Sequence, residues 1–315
     1  MAKAAIKTWS TPVQAEEKRL IPCAICGGTV FKPSLSCEGF SYVRCAKCSL
    51  VQMNPQPLPG EIVKRYNSGK GVPGNMDLPG YSAGSGKDYL AYELANEEAF
   101  LNLQLLALKD SGFESFEKKI LERSQSPQSY EKPKILDIGC ATGSLLQKLK
   151  GRGWETVGVE ISHPQAEYGR SMRELDVHEL PLEENNFPLQ SFDAVLASHV
   201  IEHLVDPAGM VREVFRILYP GGIFFVTTPN IAGFQARFFG KNWRSAIFDH
   251  LYLFSVETLS RLLREEGFVI EKIKTWGGLA AGTAPRQVKG VFDRAAKKFG
   301  FGDVMIIRAK KPMKE

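Results

Sequence analysis

From Lys134 to the C-terminus, short apolar runs alternate with stretches whose apolar residues recur every three or four positions. The runs KILDIG, TVGVEI, FDAVLASHV, IFFVTTPN, VIEKIKTW and DVMIIRAK read as strands. Between them, SLLQKLKGRG, HPQAEYGRSMREL, PAGMVREVFRILYPGG, VETLSRLLREEGF and RQVKGVFDRAAKKFG read as helices, the third stopped by Pro-Gly-Gly. Strands in strict alternation with helices predict βαβ units, and hence a doubly wound α/β fold with a mainly parallel sheet. Upstream, Leu90, Leu94, Leu101, Leu105 and Leu108 recur near helical spacing and predict a helix over 88–109. The Pro- and Gly-rich stretch from Pro55 to Gly86 predicts a linker or covering loop, and the polar stretch at 123–134 a surface connection. Residues 1–20 form a polar lead-in. The expected division is a tail and small module at 1–54, a linker with a helical segment at 55–132, and the α/β domain at 133–315.

Length and composition fit that division. The 315 residues suit one large core with a small appendage, and 43% hydrophobic residues exclude a disordered chain. A net charge of +5, from 40 basic and 35 acidic residues, is too small to argue for nucleic acid by itself. The lysines near the end, Lys310, Lys311 and Lys314, read as a solvated tail. The opening residues carry no apolar run of signal-peptide type, and no stretch is long enough to span a bilayer. These features predict a cytoplasmic protein, in which paired cysteines read first as a metal site.

Four of the six cysteines form two such pairs, Cys23-Ala-Ile-Cys26 and Cys45-Ala-Lys-Cys48, with 18 residues between them. Two residues between paired cysteines let both thiolates face one tetrahedral ion, and four cysteines fill a zinc coordination sphere. About thirty residues bury too little apolar surface to fold alone, so a structural Zn2+ would supply the missing stability. A redox CxxC would need a thioredoxin-like βαβ context, which is absent here. With every ligand position filled there is no open site for catalytic water. Cys37 lies between the pairs as a spare thiol.

The first strand of the α/β part runs into Asp137-Ile-Gly139-Cys140-Ala141-Thr-Gly143. Glycines at the carboxyl end of a first strand allow a sharp turn and a close approach to a ligand. The second strand closes on Glu160, about twenty residues further on, where one carboxylate can accept from both hydroxyls of a ribose. The loop is not the G-x-G-x-x-G of dinucleotide binding, and the chain has no GxxxxGK[ST] phosphate loop. A cofactor without phosphates, such as a sulfonium, fits better.

These segments carry a resemblance. ILDIGCATGSLL, VGVEIS, LEENNFPLQSFDAVLASHVIEHLVDP, ILYPGGIFFVTTPN and HLYLFSVETLSRLLREEGF resemble class I S-adenosylmethionine-dependent methyltransferases. CAICGG and YVRCAKCSLVQMNPQP resemble the N-terminal zinc ribbon of one broad group of them. The resemblance implies a seven-stranded sheet, S-adenosylmethionine as cofactor, and methyl transfer to a small-molecule acceptor such as a sugar or secondary metabolite. It implies that Asp137, Gly139 and Gly143 shape the methionine end of the pocket, with Cys140 and Ala141 giving backbone. Glu160 would hold the ribose, Leu182 and Glu183 would lie against adenine, and Ser198 would face the cofactor. Ala141 departs from the usual loop, which has glycine there. The adenine segment ELPLEENN lacks the acid of the commoner form.

A hydroxyl acceptor needs its proton removed, and histidine suits that near neutral pH. Of five histidines, His163 and His178 read as surface residues on the helix and loop after the second strand. His199, Glu202 and His203 follow the fourth strand and would share one face if helical. They are similar to E-x-x-E-H of quinone-pathway O-methyltransferases, associated there with a divalent cation, although His199 replaces the first acid. The bland alternative is that Glu202 and His203 order a turn. His250 lies on a chain segment, 231–254, able to fold over the cleft with Phe234, Phe238, Phe239 and Trp243. It ranks first as general base, ahead of His199 and His203. Two competing functions stay open: a docking protein working through its zinc ribbon, and a methyltransferase of RNA or protein. The ribbon's few bases (Lys32, Arg44, Lys47) argue against nucleic acid. The absence of NPPY or DPPY after the fourth strand argues against base-amine methylation.

Overall fold

The computed structural model describes residues 18–60, 86–124, 132–278 and 286–313. The polar lead-in up to residue 17, most of the Pro- and Gly-rich stretch and most of the 123–134 connection lie outside the described residues.

The first strands are β1 (Lys18–Arg19), β2 (Phe31–Cys37), β3 (Phe40–Cys45), β4 (Val51–Met53) and β5 (Gln56–Pro57). Two helices follow, α1 (Gly86–Ser111) and α2 (Phe113–Ser124). Then come β6 (Lys134–Ile138), α3 (Ser144–Lys150), β7 (Glu155–Val159), α4 (His163–Arg173), β8 (Asp176–His178) and β9 (Phe192–Ser198). After these run α5 (Pro207–Ile217), β10 (Leu218–Pro229), α6 (Phe234–Phe239), β11 (Tyr252–Leu253), α7 (Val256–Glu265), β12 (Val269–Trp276), α8 (Arg286–Phe299) and β13 (Val304–Lys310).

Seven strands form the main sheet in the order β12-β13-β10-β9-β6-β7-β8. β13 runs antiparallel to both neighbours, while the β10–β9–β6–β7–β8 pairs are parallel. This is the class I methyltransferase fold. Its central strands read as continuous apolar runs because helices cover both faces: β9 is buried at every position but its last. On one face, Phe113 and Phe116 of α2 pack with Trp154, Ile135 and Phe225. On the other, α5 and α7 bury Met210, Val214, Leu259 and Leu263 against Leu136, Val195 and Val226. Helix ends are set locally. Asp206 caps α5 by accepting from Gly209 N at 2.8 Å, and Ser255 with Thr258 forms a capping box on α7.

A second sheet, β11-β4-β3-β2, carries the cysteine segment. Its edge strand β11 comes from the α/β part, and Tyr42, Leu50, Val51 and Met53 share one apolar cluster with the main sheet. The appended module therefore does not stand apart from the larger core.

Five local expectations change. Lys311, expected in a solvated tail, is buried, its Nζ donating to Phe215 O at 2.6 Å and Leu218 O at 2.8 Å. α5 ends at Ile217, not at Pro-Gly-Gly. Pro220 lacks a donor and Gly221 sits at φ +82°, so 219–222 bulge within β10, between Leu218 paired to Phe192 and Ile223 paired to Ala194. His178 closes the short strand β8, paired with Val159, and is not in a loop. α2 occupies residues with no predicted element. The turn after β9 is not helical, so His199, Glu202 and His203 are not on a helix face.

Candidate functional site

The loop after β6 is shaped by its glycines. Gly139 has φ +70°, and a Cβ there would stand 2.5 Å from Val200 Cγ2. Gly143 has φ +81°, with Leu175 Cδ1 at 2.4 Å from the same position. The amides of Gly139 and Cys140 both donate to Val159 O, tying the loop to the end of β7. Ala141 keeps the left-handed backbone of the glycine it replaces, φ +52°. Cys140 is buried, its Sγ beneath Gly158, where a Cβ would come within 2.6 Å. It thus offers backbone, not thiol.

Glu160 stands beside this loop at the end of β7. Its Oε2 accepts from Ala141 N at 3.0 Å and its Oε1 from Ser162 N at 2.8 Å. Burial pushes its carboxyl up to about 7 against the lowering by those amides. Burial pushes Asp137 further, to about 8, with the Glu160 charge adding to the effect. A positively charged ligand placed beside these two buried carboxyls would favour their ionised forms. Ser198 ends β9 and, with Asp137 and Thr227, lines a narrow cleft. Leu182 is buried in a short 3-10 turn, with Glu183 exposed beside it.

α1 forms the far wall of that cleft through Gln104 and Leu108. Glu93 accepts from Thr142 N at 3.0 Å, and Thr142 Oγ1 donates to Glu97 at 3.0 Å. Arg173 pairs with Glu97 as well. Sequence reasoning missed these residues, because an acid on a long helix looks like any solvated one.

A second constellation lies at the carboxyl end of β9. His199 has φ +56°, uncommon for a residue with a side chain, and its amide donates to Thr227 O. Its Nδ1 lies 3.2 Å from Glu202 Oε1, and Thr228 Oγ1 donates to Glu202 Oε2 at 2.9 Å. Glu202 is 1% exposed. Burial works to raise its carboxyl, but the hydrogen bond and charge of His199, with His203 and His250, hold it at about 2. His203 donates from Nδ1 to Asp249 O and His250 from Nδ1 to Ser245 O, since a carbonyl can only accept. The two rings meet edge to face at 4.6 Å, and Glu202, His203 and His250 each bring a ligand atom within 4.8 Å of the others. Burial lowers His250 to about 3, so it is neutral at ordinary pH. The His199 side chain is 48% exposed and opens outward.

The segment from Ile231 to Phe254 closes on itself through Ile231 N to Phe254 O. Trp243 is core, donating from Nε1 to Asp303, and Tyr252 and Phe254 are also buried. Phe238 faces solvent.

The four paired cysteines converge, with Cys23 and Cys48 Sγ 3.3 Å apart and Cys26 and Cys45 Sγ 3.5 Å apart. Tetrahedral thiolates about 2.3 Å from a zinc ion sit about 3.8 Å from one another, so the set fits that ion. Burial raises Cys23 to about 11 and raises Cys48 further. For Cys45, burial is outweighed by the Cys48 and Lys47 amides and the neighbouring thiols, which draw it to about 7. Four thiolates together need a cation. Cys37 stays outside the cluster, near the carbonyls of Lys241 and Ala246.

A family model described as a methyltransferase domain matches residues 99–273, more than half of the chain. The chain belongs to the methyltransferase-domain family. A probable S-adenosylmethionine-dependent methyltransferase of Mycolicibacterium smegmatis is 34% identical over 143 residues, 44% of this chain and 52% of that protein. A ubiquinone biosynthesis O-methyltransferase of Methylocella silvestris is 33% identical over 110 residues, 33% of this chain and 43% of that protein. The chain spans about half the length of the curated relatives it matches. Among solved structures, a methyltransferase of Thermotoga maritima described as a possible histamine N-methyltransferase is 26% identical. The alignment covers 68% of this chain and 97% of that one, with a TM-score of 0.45. Within the methyltransferase domain, the matched residues include the Asp137–Gly143 loop, Glu160 and the His199–Glu202 turn. Among the described residues, no helix is long and apolar enough to cross a membrane.

Proposed function

We propose that the chain is an S-adenosylmethionine-dependent methyltransferase acting on a small-molecule acceptor, at a hydroxyl or carbon of a sugar or secondary metabolite. The observation that carries this reading is the joint placement of two sites at the carboxyl edge of one sheet. One is the Gly139–Gly143 loop faced by Glu160; the other is the outward-opening His199 backed by buried Glu202. In such sheets ligands bind at that edge. The bound cofactor supplies an electrophilic methyl. Glu160 accepts from the ribose hydroxyls, and Asp137, Gly139, Cys140, Ala141, Gly143 and Ser198 shape the methionine end. Adenine lies near Leu182 and Glu183, with Leu182 acting as floor because it is buried.

His199 is the better general base than His250, which ranked first from sequence. A base held near 3 by burial takes up a proton poorly at neutral pH. His199 reaches solvent, and Glu202, ionised and fixed by Thr228, orients the ring and stabilises it once protonated. His203 and His250 brace Glu202 from behind. The relative named as an O-methyltransferase supports a hydroxyl acceptor. Cys23, Cys26, Cys45 and Cys48 would hold a structural Zn2+, which suits a reducing compartment such as the cytoplasm. The three-part division at 1–54, 55–132 and 133–315 belongs to the same reading.

Calorimetric titration of S-adenosylmethionine tests it. The wild type should bind, and Glu160→Ala should lose roughly 1.5–3 kcal/mol, the worth of a charge-assisted acceptor. Equal affinity in the variant would contradict the assignment, and tight NAD binding without S-adenosylmethionine binding would overturn the reading.

A further inference from the structure

The segment 246–253 is gripped from two sides. On one side lies the catalytic turn: Tyr252 N donates to Glu202 O at 3.1 Å, and His203 Nδ1 to Asp249 O at 2.9 Å. On the other lies the cysteine-bearing sheet. Tyr42 is 1% exposed, and its hydroxyl stands 2.7 Å from Ile247 O and 2.8 Å from His250 O. One O–H is thus shared between two carbonyls that flank the turn carrying His250. Phe40 meets Phe248 edge to face at 5.6 Å. Met53 N donates to Leu251 O, and Tyr252 and Leu253 pair with Gln52 and Val51 as the fourth strand of that sheet. Ile247 O also accepts from His250 N at 3.1 Å, so the Tyr42 hydroxyl clamps from outside a turn that the segment closes on itself.

We infer that the N-terminal cysteine module is a working wall of the methyl-transfer site, with Tyr42 as its positioning residue. Tyr42 holds 246–253 in the one conformation that sets His250 behind Glu202, and so fixes the carboxylate that aims His199. The module is then neither a passenger nor chiefly a docking arm. The thiolate cluster at the far end of β3 holds the strand on which Tyr42 sits. The inference rests on the methyl-transfer reading for its catalytic consequence, but the grip itself is measurable without cofactor or acceptor.

The test uses the full chain and Tyr42→Phe, which keeps the ring and its contact with Phe40 and removes only the shared hydroxyl. Deuterium exchange followed by mass spectrometry should show exchange within 246–254 faster by about tenfold or more, the loss of one or two buried hydrogen bonds. Protection over 134–160 and 31–45 should stay as in the wild type, and S-adenosylmethionine affinity should stay within about twofold, because no cofactor contact is altered. With labelled S-adenosylmethionine and acceptor, turnover should fall while the cofactor KM holds. Phe40→Leu, which loosens packing but spares the hydroxyl, should change exchange over 246–254 less than Tyr42→Phe does. Unchanged protection over 246–254 in Tyr42→Phe would overturn the inference. So would an equal loss across 31–45 and 134–160, since Tyr42 would then be only a core residue. If wild-type S-adenosylmethionine binding itself fails, the methyl-transfer reading falls, and the exchange result still decides the grip.

Discussion

Cofactor binding should be coupled to proton release at Glu160. To accept from both ribose hydroxyls, that carboxyl must be ionised, because each oxygen then has to accept. In the free protein its value lies near 7, above the ordinary 4.5. It is therefore about half ionised at pH 7 and about one-tenth ionised at pH 6, so affinity should fall about fivefold across that unit, or about 1 kcal/mol. Asp137, higher at about 8, stays largely protonated over the window and adds little slope. The stability sign follows from the same shift. A carboxyl raised in the fold gives its full stabilisation below about pH 4.5 and loses it as pH climbs through 7. A cationic ligand offsets that loss, so the rise in Tm on adding S-adenosylmethionine should grow from pH 5.5 to 7. The assay is calorimetry in two buffers of different ionisation heat, with about half a proton released per ligand at pH 7. Glu160→Gln should abolish the slope. Affinity that is flat or falls from pH 5.5 to 7, with buffer-independent heat, would refute the reasoning.

Ala141→Gly should stabilise the protein by about 0.5–1 kcal/mol in urea unfolding, because the left-handed backbone at 141 carries a methyl without need; a loss of stability would show that the methyl packs usefully. Elemental analysis should find about one zinc per chain, lost in Cys26→Ser; a zinc-free protein purified without chelators, with all thiols titratable, would refute the four-thiolate site.

Much of the fold was legible because its signals are local. Continuous apolar runs such as FDAVLAS mark strands covered on both faces, and Gly139, Gly143 and Glu160 lie where a strand, a turn and a second strand must put them. The cysteine spacing declared its cluster in the same way. What was not legible depends on distant partners. β8 is three residues with a polar start, paired to β7 at the edge of the sheet. β11 is two residues pairing with a strand about two hundred positions earlier, which no periodicity can announce. His250 read from the sequence as the leading base on a segment over the cleft; only its packing against Tyr42, Glu202 and His203 reveals it as buried and neutral. His199 was visible as a candidate, but its rank depended on exposure, which one sequence does not display.

Transfer of a labelled methyl from S-adenosylmethionine tests the central claim most directly. Wild-type protein incubated with a cell extract should move label into the small-molecule fraction. His199→Ala should bind the cofactor normally yet transfer roughly 10²–10⁴-fold more slowly, as expected for a lost general base. Label appearing only in RNA or protein, or full turnover in His199→Ala, would contradict the account.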